Sequence, residues 1–209
     1  MLTVTGTQDL RRLERELMRD NPNACRKAIR MAIGEALTRT KAAGIRISTR
    51  DYTYTKDAKK KVAARTRIVK PSNDALEGEV KFTGSPGVPL RYFRTSPRRA
   101  VQDFSGIAPK RRKPKGGVRV KVKKSGRMRP ARGPKGQSTF WFKGRNGAIL
   151  LGYRAGRGNA ISTEGLFGAS PIQGLSRDDN FRELSRYADE TVRKRINHQL
   201  DRILGRGGK

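Results

Sequence analysis

Thr139–Tyr153 reads TFWFKGRNGAILLGY, and the organisation of the chain follows from it. Two short apolar runs, TFWF at 139–142 and AILLGY at 148–153, flank Lys143-Gly144-Arg145-Asn146-Gly147. Runs of this length joined by a Gly/Asn-rich connection predict two antiparallel strands and a hairpin turn. Successive strand side chains point to opposite faces, so Phe140, Trp141 and Phe142 occupy both. That pattern reads as a strand buried on two sides, or an interface, ahead of a platform for stacking bases.

Immediately upstream, Lys110–Lys135 reads KRRKPKGGVRVKVKKSGRMRPARGPK, with thirteen Lys and Arg in twenty-six residues and no acid. Within it Val118, Val120 and Val122 alternate with Arg119, Lys121 and Lys123, which predicts a short strand with one β-branched and one cationic face. Gly and Pro bracket that strand on both sides. Like charges packed well inside a Debye length of about 10 Å repel one another. Such a segment is either a solvated face or the partner of a polyanion. The candidate contacts are Lys110, Arg111, Arg112, Lys113, Lys115, Arg119, Lys121, Lys123, Lys124, Arg127, Arg129 and Arg132. Nucleic acid, bound through backbone phosphates, is the natural ligand; an acidic protein surface is the competitor.

Further upstream, TRIV at 66–69, EVKF at 79–82 and PLRYF at 89–93 supply more short strands between turn residues. Residues 45–65 stay open between a helical turn and a basic loop. The N-terminal part is helical in pattern. Thr7 is a candidate cap for an amphipathic helix to Asp20, and Asn21-Pro22 starts a second helix. In that second helix Ala24/Cys25, Ala28/Ile29, Ala32/Ile33 and Ala36/Leu37 recur every four residues until Gly44. Beyond the strands, Ser176 with Asp179 predicts the start of a long helix. Its stripe is Phe181, Leu184, Ala188, Val192, Ile196, Leu200 and Ile203.

The reading is therefore one α+β domain over 1–209, an antiparallel sheet or sandwich flanked by helices. A helical part covers 7–44, a sheet covers 65–153 with a basic arm at 94–137, and a C-terminal helix covers 176–204.

Composition narrows the function classes. The net charge is +31, from 49 basic against 18 acidic residues, and most of the excess sits in the middle of the chain. One cysteine, Cys25, forms no internal disulfide, and one histidine, His198, makes no metal cluster. Asp178-Asp179 sits where a helix dipole favours negative charge, which explains it without catalysis. GYRAGRGN lacks the Gly-Lys-Ser/Thr of a phosphate-binding loop. No carboxylate cluster for a nuclease can be assembled, so neither enzyme chemistry nor a cofactor is expected. No apolar run reaches the roughly 18 residues of a membrane span, and MLTVTGTQDLRR lacks a signal peptide's order. The expected setting is a reducing cytoplasm.

Several segments, in order, resemble the phage minor tail protein Z, or tail completion, family. They are RKAIRMAIGEALTRTKAAGI, GSPGVPLRYF, GVRVKV, STFWF with AILLGYRAG, and ISTEGLFGASPIQGL before the long helix. The resemblance covers residues 24–204. It implies a non-enzymatic structural protein of the virion, assembled in the host cytoplasm, that finishes the head-proximal end of the tail for joining to the head. It implies a ring of copies, commonly sixfold, in contact with tail terminator, tail tube and other neck proteins, and with phage DNA or the tape-measure protein, without a membrane. Without the resemblance, the basic arm on a small α+β core reads as a stand-alone DNA- or ribosome-associated protein.

Overall fold

The computed structural model of the chain describes residues 2–4, 22–72, 76–83, 87–97, 114–144, 146–156 and 160–203. The helix expected over Thr7–Asp20 lies outside them. Helices and antiparallel strands make an α+β fold in two compact units. The first comprises residues 1–48, 63–83 and 172–209, and the second residues 49–62 and 84–171.

The first unit is built on α1 (Pro22–Thr49) and the long C-terminal α4 (Asp178–Ile203). The four-residue recurrence of α1 buries Cys25, Ala28, Ile29, Ala32, Ile33, Ala36 and Leu37. Small residues let the helix axis approach its neighbours closely. Against it lie Ala188, Val192, Ile196 and Leu200 of α4 and Val80 of the sheet β1 (Leu2–Val4), β3 (Gly78–Phe82), β2 (Thr66–Val69). Both pairings are antiparallel, with Ile68 opposite Val80. Glu35 ties the two helices at the edge of this core, facing Arg195 at 3.4 Å and accepting from the Gln199 amide at 2.9 Å.

Four features differ from the sequence expectation. Leu90–Tyr92, expected within a strand at 89–93, form one 3-10 turn, and the next strand starts at Arg94. Helix α1 runs past Gly44 to Thr49, and Ile47 joins Ala43, Leu175 and Leu184 in a second cluster. Gly44 is retained inside the helix for space: a Cβ there would lie 2.3 Å from Cζ of the Phe82 ring. Ser176 does not cap α4. Its hydroxyl donates to the Gln173 carbonyl at 3.4 Å and its N–H to the Ile172 carbonyl at 2.7 Å, both closing the short α3 (Pro171–Leu175), and α4 starts two residues later. Phe181, placed on the apolar stripe, is 46% exposed, whereas Leu184, Ala188, Val192, Ile196 and Leu200 are buried.

The two glycines inside α1 give opposite expectations for one substitution. Among the described residues nothing lies within 4 Å of a Cβ at Gly34. Gly34→Ala therefore stabilises by about 0.8–1 kcal/mol through helix propensity alone. Gly44→Ala gains the same propensity but collides with Phe82, and overpacking of this kind costs about 1–3 kcal/mol. Urea midpoints measured side by side should move up for the first variant and down for the second.

The open region 45–65 resolves into the end of α1 and a further helix, α2 (Lys56–Arg65). Thr55 caps α2, its hydroxyl accepting the Ala58 N–H at 3.3 Å, and Asp57 favours the positive helix end. Only Ala58 and Val62 are buried.

In the second unit, β4 (Arg94–Ser96), β5 (Arg119–Lys121) and β6 (Arg129–Pro130) form one antiparallel sheet, and β7 (Thr139–Lys143), β8 (Ile149–Arg154) and β9 (Ile161–Ser162) another. The hairpin of β7 and β8 pairs Trp141 with Leu151, and its turn uses Gly147 at φ 75°. Phe140 and Trp141 are buried, and Gly152 lets the Phe142 ring lie over the neighbouring strand. The two sheets meet at Thr139. Its carbonyl accepts the Val118 N–H at 3.1 Å, and its buried hydroxyl donates to the Ala131 carbonyl at 3.0 Å.

Candidate polyanion-binding face

The basic arm folds, from residue 114 on, into a hairpin that lies in the sheet. Gly116 and Gly117 take φ of 81° and 88°, a region costly for other residues, and turn the chain into β5. There the alternation operates as written in the sequence: Val118 and Val120 are buried, Arg119 and Lys123 exposed, Lys121 half-buried.

Directly opposed strand residues share a face. The register sets Arg94 against Lys121, Thr95 against Val120 and Ser96 against Arg119. Thr95 and Val120 are buried, so Arg94, Lys121 and Arg119 stand together on the opposite, outer face. Like charges placed opposite each other cost a few tenths up to about 1 kcal/mol. Thr53 holds the pair in place: its hydroxyl accepts the Arg94 N–H at 3.2 Å and donates to the Lys121 carbonyl.

The remaining candidates distribute around this face. Lys115 is exposed in the turn before β5. Lys123, Lys124 and Arg127 are exposed between β5 and β6, where Lys123 bridges Tyr52 and the Lys124 N–H bonds to the Asp51 carbonyl at 2.8 Å. Arg129 is exposed on the edge strand β6. Arg132 is exposed and spends one N–H on the Ser138 hydroxyl at 2.7 Å. Arg119 donates to the Met128 carbonyl at 3.3 Å. Lys110, Arg111, Arg112 and Lys113 lie outside the described residues. Of the described candidates, none takes part in the ion pairs Lys81–Glu79, Arg186–Glu190 and Arg195–Glu35.

The charge follows the division of the chain. The second unit contains 26 Lys and Arg against four acids, whereas the first contains 23 against fourteen. No local pattern marks Arg94 as a member of this face, because only the β4–β5 register brings it to Lys121.

Two tyrosines in this unit have displaced titrations. Tyr54 is buried between Tyr52 and Phe93, with ring centroids at 5.3 and 4.8 Å, and donates to the Ala169 carbonyl at 2.7 Å. Burial, helped by Tyr52, pushes its phenol well above the usual range. Burial also acts upward on Tyr92, but hydrogen bonds and charge from Arg91 and Lys61 outweigh it and leave that phenol below its ordinary value.

A raised phenol pKa stabilises the fold fully below the unfolded-state value of about 10, and the contribution is lost as pH climbs toward the folded value. The lowered Tyr92 works in the opposite direction. Wild type should therefore lose stability relative to Tyr54→Phe by up to about 1.4 kcal/mol per pH unit above pH ~10. Urea unfolding of both proteins between pH 9 and 12 measures this, and the difference cancels the deprotonation of the many lysines.

Among the described residues no three His, Cys, Asp or Glu side chains gather as a metal site, and no helix is long and apolar enough to cross a membrane. Cys25 is buried in α1, and His198 is exposed on α4. With Phe140 and Trp141 buried, the face offers charge and hydrogen-bond donors rather than stacking surfaces. Comparison with protein-family models, with curated proteins and with solved structures finds no match for this chain.

Proposed function

We propose that this chain is a non-enzymatic structural protein of a phage virion. It completes the head-proximal end of the tail as a subunit of a ring, with its basic sheet face turned toward DNA or an acidic neighbour. The polyanion part of this reading is carried by one observation. Arg94, Arg119 and Lys121 share an exposed face, two of them directly opposed, in a unit with 26 cations and four acids. The opposed like charges are a cost to the fold, and an anion laid across them relieves the repulsion. The tail part is supported by the ordered resemblance over residues 24–204, and the two long helices α1 and α4 supply surface for neighbouring subunits. A closed ring requires one surface of each subunit to meet a different surface of the next.

The same face also favours a second reading, a stand-alone DNA- or ribosome-associated protein. Quantitative mass spectrometry of purified, nuclease-treated particles of the encoding phage separates the two. A small fixed copy number, matching other neck components, is the result expected for the ring protein. Absence from intact particles rejects the virion reading and leaves the cellular nucleic-acid binder.

A further inference from the structure

A concavity beside Tyr92 has no part in the cationic sheet face. Leu90, Leu151, Leu166 and Phe167 wall a space of about 120 Å³, with Arg91 and Thr163 as its polar members. Backbone contacts hold these walls: the Leu90 N–H bonds to the Leu166 carbonyl at 2.9 Å, the Gly168 N–H to the Val88 carbonyl at 2.8 Å, and Pro89 bridges Phe167. A preformed site gives up little freedom when filled. Phe167 is 43% exposed, so part of the apolar lining is left to water.

The charge beside it is also underused. The Arg91 guanidinium lies 4.8 Å from the Tyr92 ring centre and donates to the phenol at 3.2 Å, while the Lys61 ammonium lies 5.3 Å from the same centre. Neither cation belongs to an ion pair seen among the described residues. A phenol occupies one corner of a guanidinium that can grip a carboxylate with two parallel bonds. Tyr92 thus orients Arg91 without neutralising it.

We propose that this concavity docks an acidic peptide segment of a protein partner. One aliphatic side chain fills the space between Leu90, Leu151, Leu166 and Phe167, and an adjoining carboxylate binds Arg91 with Lys61 adding charge. The complement is specific in chemistry. A sugar–phosphate backbone has nothing to place against aliphatic walls, and a neutral apolar peptide leaves the two cations unanswered. The site is independent of the sheet face, and it stands or falls separately from the tail reading.

N-acetyl-leucine carries the two required groups, a branched side chain next to a carboxylate, and serves as the probe. Titrated into the isotope-labelled full chain at constant ionic strength, it shifts the amides of Leu90–Phe93 and Thr163–Gly168. The expected dissociation constant is on the order of millimolar for a ligand of this size. N-acetyl-leucinamide binds at least about tenfold more weakly, as does N-acetyl-leucine to Arg91→Gln, since each loses a charge-assisted pair. Thr163→Phe provides a second variant at an exposed position: it obstructs the concavity, leaves Arg91 untouched, and abolishes the shifts. Equal binding of acid and amide overturns the proposal, because the cations then do not take part. Inorganic phosphate or acetate reproducing the shifts at the same concentration overturns it too, because the apolar walls then contribute nothing. So does saturation confined to amides of Arg119–Lys121.

Discussion

Replacing Arg94, Arg119 and Lys121 together with Gln lowers affinity for a duplex DNA fragment by on the order of 100- to 1,000-fold at 0.1 M salt. The estimate follows from counterion release. Each phosphate contact contributes about 0.9 to the slope of log K against log salt, so three contacts remove roughly 2.7 units of slope. The three side chains sit on one face because β4 and β5 pair in a register that opposes Arg94 to Lys121 and Ser96 to Arg119. Gln keeps the length and the strand but removes the charge. Wild-type binding with a slope near zero would reject DNA as the ligand of this face.

The same variant should move stability the other way. Two cations held opposite each other are a small cost to the folded state, a few tenths up to about 1 kcal/mol, so the triple variant melts at the same temperature as wild type or slightly above it. Salt has a parallel effect on the wild type, because the Debye length falls from about 10 Å at 0.1 M to about 3 Å at 1 M. Lost binding together with unchanged or raised stability separates a working surface from a structural one.

Residues whose partners lie close in sequence were legible, and those whose partners lie far were not. The period of α4 exposed its buried stripe from Leu184 to Leu200, and the alternation at Val118–Lys123 exposed the strand within the arm. Helix α2 left little trace because only Ala58 and Val62 are buried along it. The opposition of Arg94 and Lys121 depends on a pairing that skips more than twenty residues, and no local pattern encodes it. The sequence pattern ends the helix at Gly44, because glycine ends helices more often than it fills them. Its reason for being glycine is Phe82, far along the chain.

Gly174 presents the same problem in a sharper form, and Gly174→Ala is expected to be the most damaging single-methyl change in the first unit. In sequence it belongs to a Gly-rich link before the last helix and reads as loose connection. In the fold it is buried in α3, and a Cβ there would lie 2.4 Å from the Ser48 carbonyl oxygen and 3.1 Å from its carbon. These are backbone atoms at the end of α1, so no side chain can swing away. The corner is also fixed from the other side, because the buried Asn180 amide donates to the Gly174 carbonyl at 2.6 Å. Relief requires α1 and α3 to part, which disturbs Ile47, Leu175 and Leu184 in the cluster they share. Overpacking with mobile neighbours costs about 1–3 kcal/mol, and a backbone obstacle belongs at or above the top of that range. For a chain of this size a loss of about 3 kcal/mol lowers the melting temperature by roughly 6–12 °C. Differential scanning calorimetry of the full chain reads this directly. A shift under about 3 °C would mean that α3 is free to move from α1, and the close approach of Gly174 to Ser48 would not be a constraint on the sequence.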